Sequence, residues 1–524
     1  MELGIDFGTC FSSIAIMNGT RPMTNLFDDD RGAGIPTLFM YSRKYQQEVY
    51  GFECTKSDAI QNSEDVVRYM KKMVRENPNN LDKIVMSGGK KYTIRDILKR
   101  YLNYLIAQAK VAASEIDDIK NPNIESVTIT VPVGISSGQM PTTDYRSLLQ
   151  NEIIEITGLS KYNVHILEEP SAAAMSYLYK RCVIQRYDKK QTILVFDLGG
   201  GTLDVSIVEY DSATGTYGVK AKEGDLNLGG NDWDNALVDA ALRKLGIREF
   251  SSAVERIDFQ LRINALKHSL TDSDCATMPI TYNGDVKPLL FTRKEFEEIT
   301  KGLLDRAISL TKKAINSYSS RGVSALDKIV LVGGGSNMPQ VYNRMMSEFP
   351  QLGESGIVVY EPSKAIAKGA AIYSKLKPTP DPTPGGFDDI ATCTYGFNCT
   401  RSRDGKRMIY NLLFKGTHFG SDGKIIVKET DSFCAVKDSQ TEVNWTVYES
   451  NAEKGFGEDA NWMDYGSNEH KNGMEVIIKI PPEYIGKARL YKHWVTFCLD
   501  KNGILEIIIT DKDGRQIGYD KKQV

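Results

Sequence analysis

Two stretches of this chain place an acidic residue, glycines and a threonine in the same order. Residues 3–16 read LGIDFGTCFSSIAI, and residues 194–208 read LVFDLGGGTLDVSIV. Each is an apolar run ending in an aspartate, then a glycine-containing turn, then a second apolar run. Asp6 stands beside Gly8, Thr9 and Cys10, and Asp197 beside Gly199, Gly200, Gly201 and Thr202. Glycine adds no Cβ, so the backbone N–H groups of such a turn can approach phosphate oxygens closely. A single hairpin of this kind is usually no more than a tight turn. Two copies indicate related lobes that grip one polyphosphate from opposite sides. Asp6 and Asp197 would then face one hydrated Mg²⁺, which keeps several waters and takes one or two carboxylates alongside phosphate oxygens.

Three further segments fit the same cleft. Gly229-Gly230-Asn231 precedes a helical pattern beginning at Asp232, and the start of a helix offers backbone donors to an anion. Gly333-Gly334-Gly335 ends an apolar strand and leads through Pro339 into another helix, so that backbone can lie against a nucleoside. Glu168-Glu169 places two carboxylates just before the alanine-rich run 172–174. Taken singly, each is equally well a helix cap or a point of close packing. No GxxxxGK[ST] motif occurs, so a P-loop is excluded.

The elements that must position these residues alternate. Strand-like runs at 126–131, 192–196 and 328–332 are interleaved with helical patterns at 95–114, 234–245 and 294–316, which is the signature of an α/β domain. Residues 377–389, KPTPDPTPGGFDD, exclude helix and sheet interior and read as a linker. Beyond it the texture changes to short alternating strands at 424–428, 441–448 and 474–480, then a hairpin of 494–499 with 504–510. The turn of that hairpin, Asp500-Lys501-Asn502-Gly503, carries the Asn-Gly pair that supplies positive φ. The tail is an antiparallel β domain, with Trp445, Trp462 and Trp494 read as core. Met70, Met73, Met345 and Met346 are read as helical packing, and Asp28-Asp29-Asp30 as a solvated turn.

The 524 residues allow several compact units. The balance of 65 basic against 68 acidic residues gives no footprint for nucleic acid or an acidic membrane. Eight cysteines form no CxxC pair and five histidines are scattered, so the thiols are expected to be reduced and no zinc site is expected. No leader-like start and no apolar run of about 18 residues is present, which points to a cytoplasmic protein.

The segments IDFGTCFS, EEPSAAA, FDLGGGTLDVS, LGGNDWDN and VLVGGGSNMP, in this order, resemble the phosphate, connecting and adenosine motifs of the DnaK-type chaperones, the seventy-kilodalton heat-shock proteins. The resemblance spans 2–377 and extends more weakly over 389–397, 430–448 and 496–510. It implies an actin-like two-lobed ATPase domain of duplicated ribonuclease H-like lobes (1–377), a linker (378–388), and an antiparallel β-sandwich that binds peptide (389–524) without a helical lid. It further implies ATP or ADP with Mg²⁺, and K⁺ as a second candidate ion. Asp6 and Asp197 would hold the Mg²⁺ water shell, Thr9 and Thr202 would contact the β- and γ-phosphates, and Glu169 would orient metal-bound water. Lys56, aligned by allowing one inserted residue after Gly51, would neutralise charge on the transferred phosphoryl group. Lys267 and Thr271 would contact the ribose.

The departures also carry expectations. At the positions where the family stacks arginines on adenine, this chain has His268 and Asn337. Each lost stacking contact is worth roughly 0.5–2 kcal/mol, so adenine affinity should be lower by one to three orders of magnitude at the extreme. The linker has Phe387 as its only large apolar residue, which puts coupling between the domains in doubt. The leading reading is a chaperone that hydrolyses ATP slowly, holds unfolded or extended peptide, and works with co-chaperones or a dedicated protein partner. The alternatives are a nucleotide-switched scaffold and a small-molecule kinase on the same fold.

Overall fold

The computed structural model describes the chain outside residues 25–33, 57–61, 78–79, 117–121, 134–142, 186–188, 320–321, 377–386, 389, 392, 421–422, 451, 453–458, 466–468, 501–502 and 524. The acidic run at 28–30 and most of the expected linker lie outside the described residues. The chain divides into two compact units. The first is built from Met1–Val133, Leu149–Tyr217 and Ala221–Lys377, and the second from Gly134–Leu148, Gly218–Lys220 and Pro378–Val524.

The duplication seen in the sequence is a duplication of sheet connectivity. In one sheet of the first unit, Glu2–Asp6 pairs antiparallel with Phe11–Asn18, which pairs antiparallel with Arg21–Met23. On its other side Glu2–Asp6 runs parallel to Ser126–Val131, and that strand runs parallel to Val164–Glu168. In the other sheet Gln191–Leu198 pairs antiparallel with Leu203–Asp211, next to which lies Thr216–Asp225. Gln191–Leu198 also runs parallel to Lys328–Val332, which is parallel to Ile357–Val359. Ser126–Val131 and Gln191–Leu198 are buried along their whole length, as expected of parallel strands covered on both faces. Register places Ser13 opposite Asp6 in the first sheet and Asp204 opposite Asp197 in the second.

The alanine-rich segment forms the helix Glu169–Leu178, every residue of which is buried. Its small side chains allow close approach of the helix Ala365–Leu376. A Cβ added at Gly369 would fall 1.7 Å from the carbonyl oxygen of Ala172. Neither backbone can yield without disturbing its neighbours, so Gly369→Ala should cost at least about 2 kcal/mol. The expected readout is a clear drop in the thermal midpoint, and an unchanged midpoint would rule out the close approach. Around the second sheet, Trp233, Phe196, Phe259, Ile263, Leu331 and Val341 form a continuous core with the helices Gly230–Leu245, Ala253–Asp272 and Arg293–Tyr318. Met70 and Met345 are buried, while Met73 and Met346 are partly buried. Among the described residues no helix is long and apolar enough to cross a membrane.

The second unit holds two antiparallel sheets. One runs in the order Trp462–Met463, Arg407–Leu413, Thr394–Thr400, Glu442–Ser450, His470–Lys479, and the other Lys424–Lys428, Trp494–Asp500, Ile504–Thr510, Gln516–Gln523. Alternate residues turn inward, as in Ile504–Thr510, and Phe397, Trp445, Val447, Val476, Phe497 and Ile507 share one core. Trp445 is buried as expected, whereas Trp462 and Trp494 remain half-buried. Gly503 has φ +80°, the value the expected tight turn requires.

His493 is a buried polar residue in this core. Its backbone exchanges hydrogen bonds with Phe433 at 2.8 and 3.0 Å, and its ring lies against Trp445 and Tyr491. Neither ring nitrogen has a partner among the described residues. Burial, with a smaller effect of Lys492, pushes its pKa down to about 4. The folded state therefore prefers the neutral ring. The associated stability is present above the unfolded pKa of about 6.5 and is lost as the pH falls through 4, by about 3 kcal/mol in all. Unfolding followed by tryptophan fluorescence from pH 7 to 4 should show this loss in the wild type. His493→Leu should flatten it, and a profile unchanged by the substitution would contradict the assignment.

Candidate functional site

The glycine turns lie directly against one another. A Cβ at Gly200 would be 2.8 Å from the Cys10 sulfur, one at Gly201 would be 3.0 Å from the Thr9 hydroxyl, and one at Gly229 would be 2.5 Å from the backbone nitrogen of Gly201. The N–H groups of Gly230 and Asn231 donate to the carbonyls of Gly199 and Gly200 at 2.9 and 2.8 Å, so the helix start at Gly230–Leu245 docks on the second glycine turn. The Cys10 thiol donates to Asn231 Oδ1 at 3.3 Å. Gly333, at φ +78°, brings backbone so close to Asp197 that a Cβ would lie 2.4 Å from Oδ1. Only glycine fits there.

Beneath the turns is a buried charge cluster. One carboxylate oxygen from each of Glu169, Asp197 and Asp204 lies within 4.8 Å of the other two. All three residues are buried. The Lys71 ammonium, also buried, forms an ion pair with Glu169. Asp204 accepts the Val133 backbone N–H at 2.8 Å, while Asp197 Oδ1 has no hydrogen-bond partner among the described residues. Burial, reinforced by the Glu169 charge, lifts the Asp6 carboxyl to about 7 and that of Asp204 to about 8. Burial, followed by Glu169, Asp204 and Asp6, raises Asp197 well above the carboxylate range. Four neighbouring carboxyl groups and one ammonium cannot all stay ionised in a dry pocket unless a cation joins them. An all-oxygen donor set with an unpartnered aspartate oxygen fits a hard divalent cation such as Mg²⁺.

The structure brings Glu169 and Asp197 together with Asp204, and Asp6 stands close enough to perturb Asp197 electrostatically. Thr9 and Thr202 are buried beside them. Lys267 is buried, donates to the Gly230 carbonyl at 3.1 Å and pairs with Asp234 at 2.8 Å. Thr271 follows one helical turn later, its hydroxyl 3.5 Å from the Lys267 carbonyl. His268 and Asn337 are exposed.

Lys56 is not brought to the cluster. It ends a short 3₁₀ turn, is mostly exposed, and pairs with Glu53 at 2.6 Å. The lysine in the cluster is Lys71, on the helix Met70–Glu76. Sequence reasoning missed Lys71 and Asp204. Asp204 had a signal, because in a hairpin with a four-residue turn Asp197 and Asp204 fall opposite each other. Lys71 had none, since it is followed by an equally basic, exposed Lys72.

A family model described as Hsp70 protein matches residues 2–518. Among curated proteins, the Chaperone protein DnaK of Halobacterium salinarum strain ATCC 29341 / DSM 671 / R1 and that of strain ATCC 700922 / JCM 11081 / NRC-1 are each 27% identical over 527 residues, covering 97% of this chain and 73% of theirs. The fold and the match over nearly the whole length define a chaperone-class protein, and the chain belongs to the Hsp70 family. The kinase and scaffold readings gain no support from this membership.

Proposed function

We propose that this chain is an ATP-dependent chaperone. Residues 1–377 would form an actin-like ATPase domain that binds ATP or ADP with Mg²⁺, K⁺ being a further candidate, and hydrolyses ATP slowly. Residues 389–524, after a linker at 378–388, would form a β-sandwich that holds unfolded or extended peptide. The observation that carries this reading is the buried cluster of Glu169, Asp197, Asp204 and Lys71 at the foot of two facing glycine turns, in a member of this family.

Asp197, Asp204 and Glu169, with Asp6 beside them, are the residues that would hold Mg²⁺. The ion, when bound, supplies charge neutralisation and polarises phosphate oxygens. Lys71 places a positive charge next to the carboxylates, where charge on a transferred phosphoryl group needs compensation. The backbone of Gly8–Cys10 and Gly199–Gly201, with the Thr9 and Thr202 hydroxyls, would contact phosphates. Gly229–Asn231, Lys267 and Thr271 would take the sugar side, with Gly333–Gly335, His268 and Asn337 near the base.

The test is phosphate release from ATP with Mg²⁺, measured on the wild type and Asp197→Ala, with and without an unfolded model peptide. Slow release that is lost in Asp197→Ala and raised by peptide is expected. Release that survives Asp197→Ala would overturn the site, and release indifferent to peptide would remove the chaperone cycle.

A further inference from the structure

The strand Arg407–Leu413 would be a sheet edge but for a short neighbour, Trp462–Met463, paired in the register Ile409 to Met463 and Tyr410 to Trp462. The contact is of the kind an extended peptide makes on a sheet. The Asn411 N–H donates to the Asn461 carbonyl at 2.7 Å, the Asn461 amide donates to the Tyr410 hydroxyl at 3.0 Å, and the Trp462 ring meets the Tyr410 ring edge-on at 5.0 Å. Charge fixes both ends. Arg401 and Arg403 reach Asp459 at 3.2 and 2.6 Å, Lys406 reaches Asp464 at 2.5 Å, and the Arg401 guanidinium lies 5.9 Å over the Trp462 ring.

The attachment is light. Trp462 and Met463 are half-buried, and the pairs Arg403–Asp459 and Lys406–Asp464 are about half exposed on both sides, where ion pairs contribute little. An edge strand with free main-chain groups is a template for another strand. Here the template is flanked by Arg401, Arg403 and Lys406 against one acid of the same turn, Asp404, which pairs with Arg401, so the remaining positive excess favours acidic partners over neutral ones.

We propose that the Arg407–Leu413 edge is a strand-addition site for an extended peptide carrying an aromatic residue between two acidic ones, and that Asp459–Tyr465 occupies it in cis as an exchangeable stand-in. Main-chain pairing supplies affinity and the Tyr410 ring receives the aromatic side chain. Arg401, Arg403 and Lys406 select the flanking carboxylates. A tethered segment acts at an effective concentration on the order of 1 mM. A free peptide of roughly 10–100 μM intrinsic affinity would therefore be weakened about 10- to 100-fold by the cis strand.

The experiment uses fluorescence anisotropy of a labelled peptide of sequence DANWMDY on the full chain. The proteins are the wild type, the Asp459→Asn/Trp462→Ala/Asp464→Asn variant, and Arg401→Gln/Arg403→Gln. A neutral apolar peptide is the second probe. The triple variant should bind the acidic peptide about 10- to 100-fold tighter than the wild type, and the arginine variant should bind it more weakly than the wild type. The neutral probe should be unaffected throughout. Trp462→Ala alone, a change at a half-exposed side chain, should give an intermediate gain and decides the matter if the triple variant does not fold. Equal affinity of wild type, Trp462→Ala and triple variant for the acidic peptide would overturn the proposal. If the neutral probe still binds in that case, the chaperone reading stands and this site alone falls.

Discussion

Lys71→Met is expected to lower steady-state ATP hydrolysis by at least about a hundredfold, while Lys56→Ala leaves it within about twofold. The magnitude follows from the environment. A preorganised charge in a water-excluded site is worth about 10²–10³ in rate. Lys71 is buried against Glu169 and faces Asp6, Asp197 and Asp204, whereas Lys56 spends its charge on Glu53 at the surface. Removing the ammonium also leaves Glu169 buried without its ion partner, at a cost of about 3–5 kcal/mol in stability. Thermal unfolding must therefore accompany the assay. Equilibrium ADP binding separates the two effects, because a folded variant that holds nucleotide and fails to hydrolyse has lost charge stabilisation rather than its structure. A rate that falls in Lys56→Ala and survives in Lys71→Met would return the role to Lys56.

The contrast between these two lysines shows what the sequence carries. The glycine turns were legible because their function depends on the backbone, and a backbone that must approach a phosphate or a second turn needs glycine at fixed positions. A Cβ at Gly200 or Gly229 would collide with a neighbouring turn at 2.8 or 2.5 Å, and one at Gly201 would press on the Thr9 hydroxyl at 3.0 Å. The sheets were legible because short runs rich in β-branched residues, such as Ser126–Val131, favour strands, and this one is buried along its whole length. Lys71 was not legible, because whether a lysine is buried is decided by the helix face it occupies and by a carboxylate about a hundred residues away. The aligned guess at Lys56 relied on an insertion, and a lysine in a polar turn has no physical reason to be inside. The short strand Trp462–Met463 was hidden for a different reason. Its pairing rests on cations at 401, 403 and 406 meeting acids at 459 and 464, and long-range charge matching leaves no periodicity.

A second large effect is expected one residue before Glu169. The Glu168 carboxylate forms an ion pair with Lys222, and both side chains are buried. Glu168 ends the last strand of one sheet, and Lys222 lies in Thr216–Asp225 of the other, so the pair ties the two sheets together beside the charge cluster. The next residue, Glu223, is also buried and pairs with Lys313 at 2.9 Å, so adjacent positions of one strand carry ions on opposite faces. Lys222→Met should destabilise the protein by about 3–5 kcal/mol, because the buried Glu168 charge loses its ion pair with the Lys222 ammonium. The double variant Glu168→Gln/Lys222→Met should recover most of that loss, since removing both charges also removes both desolvation costs. Urea unfolding followed through Trp233, which lies in the core of that sheet, gives the three stabilities. A double variant as unstable as the single one would mean that the cost of Lys222→Met comes from packing around the lysine stem and not from the lost ion pair. In that case the pair would hold the two sheets by shape, and the position of Glu169 would not depend on the charge beside it.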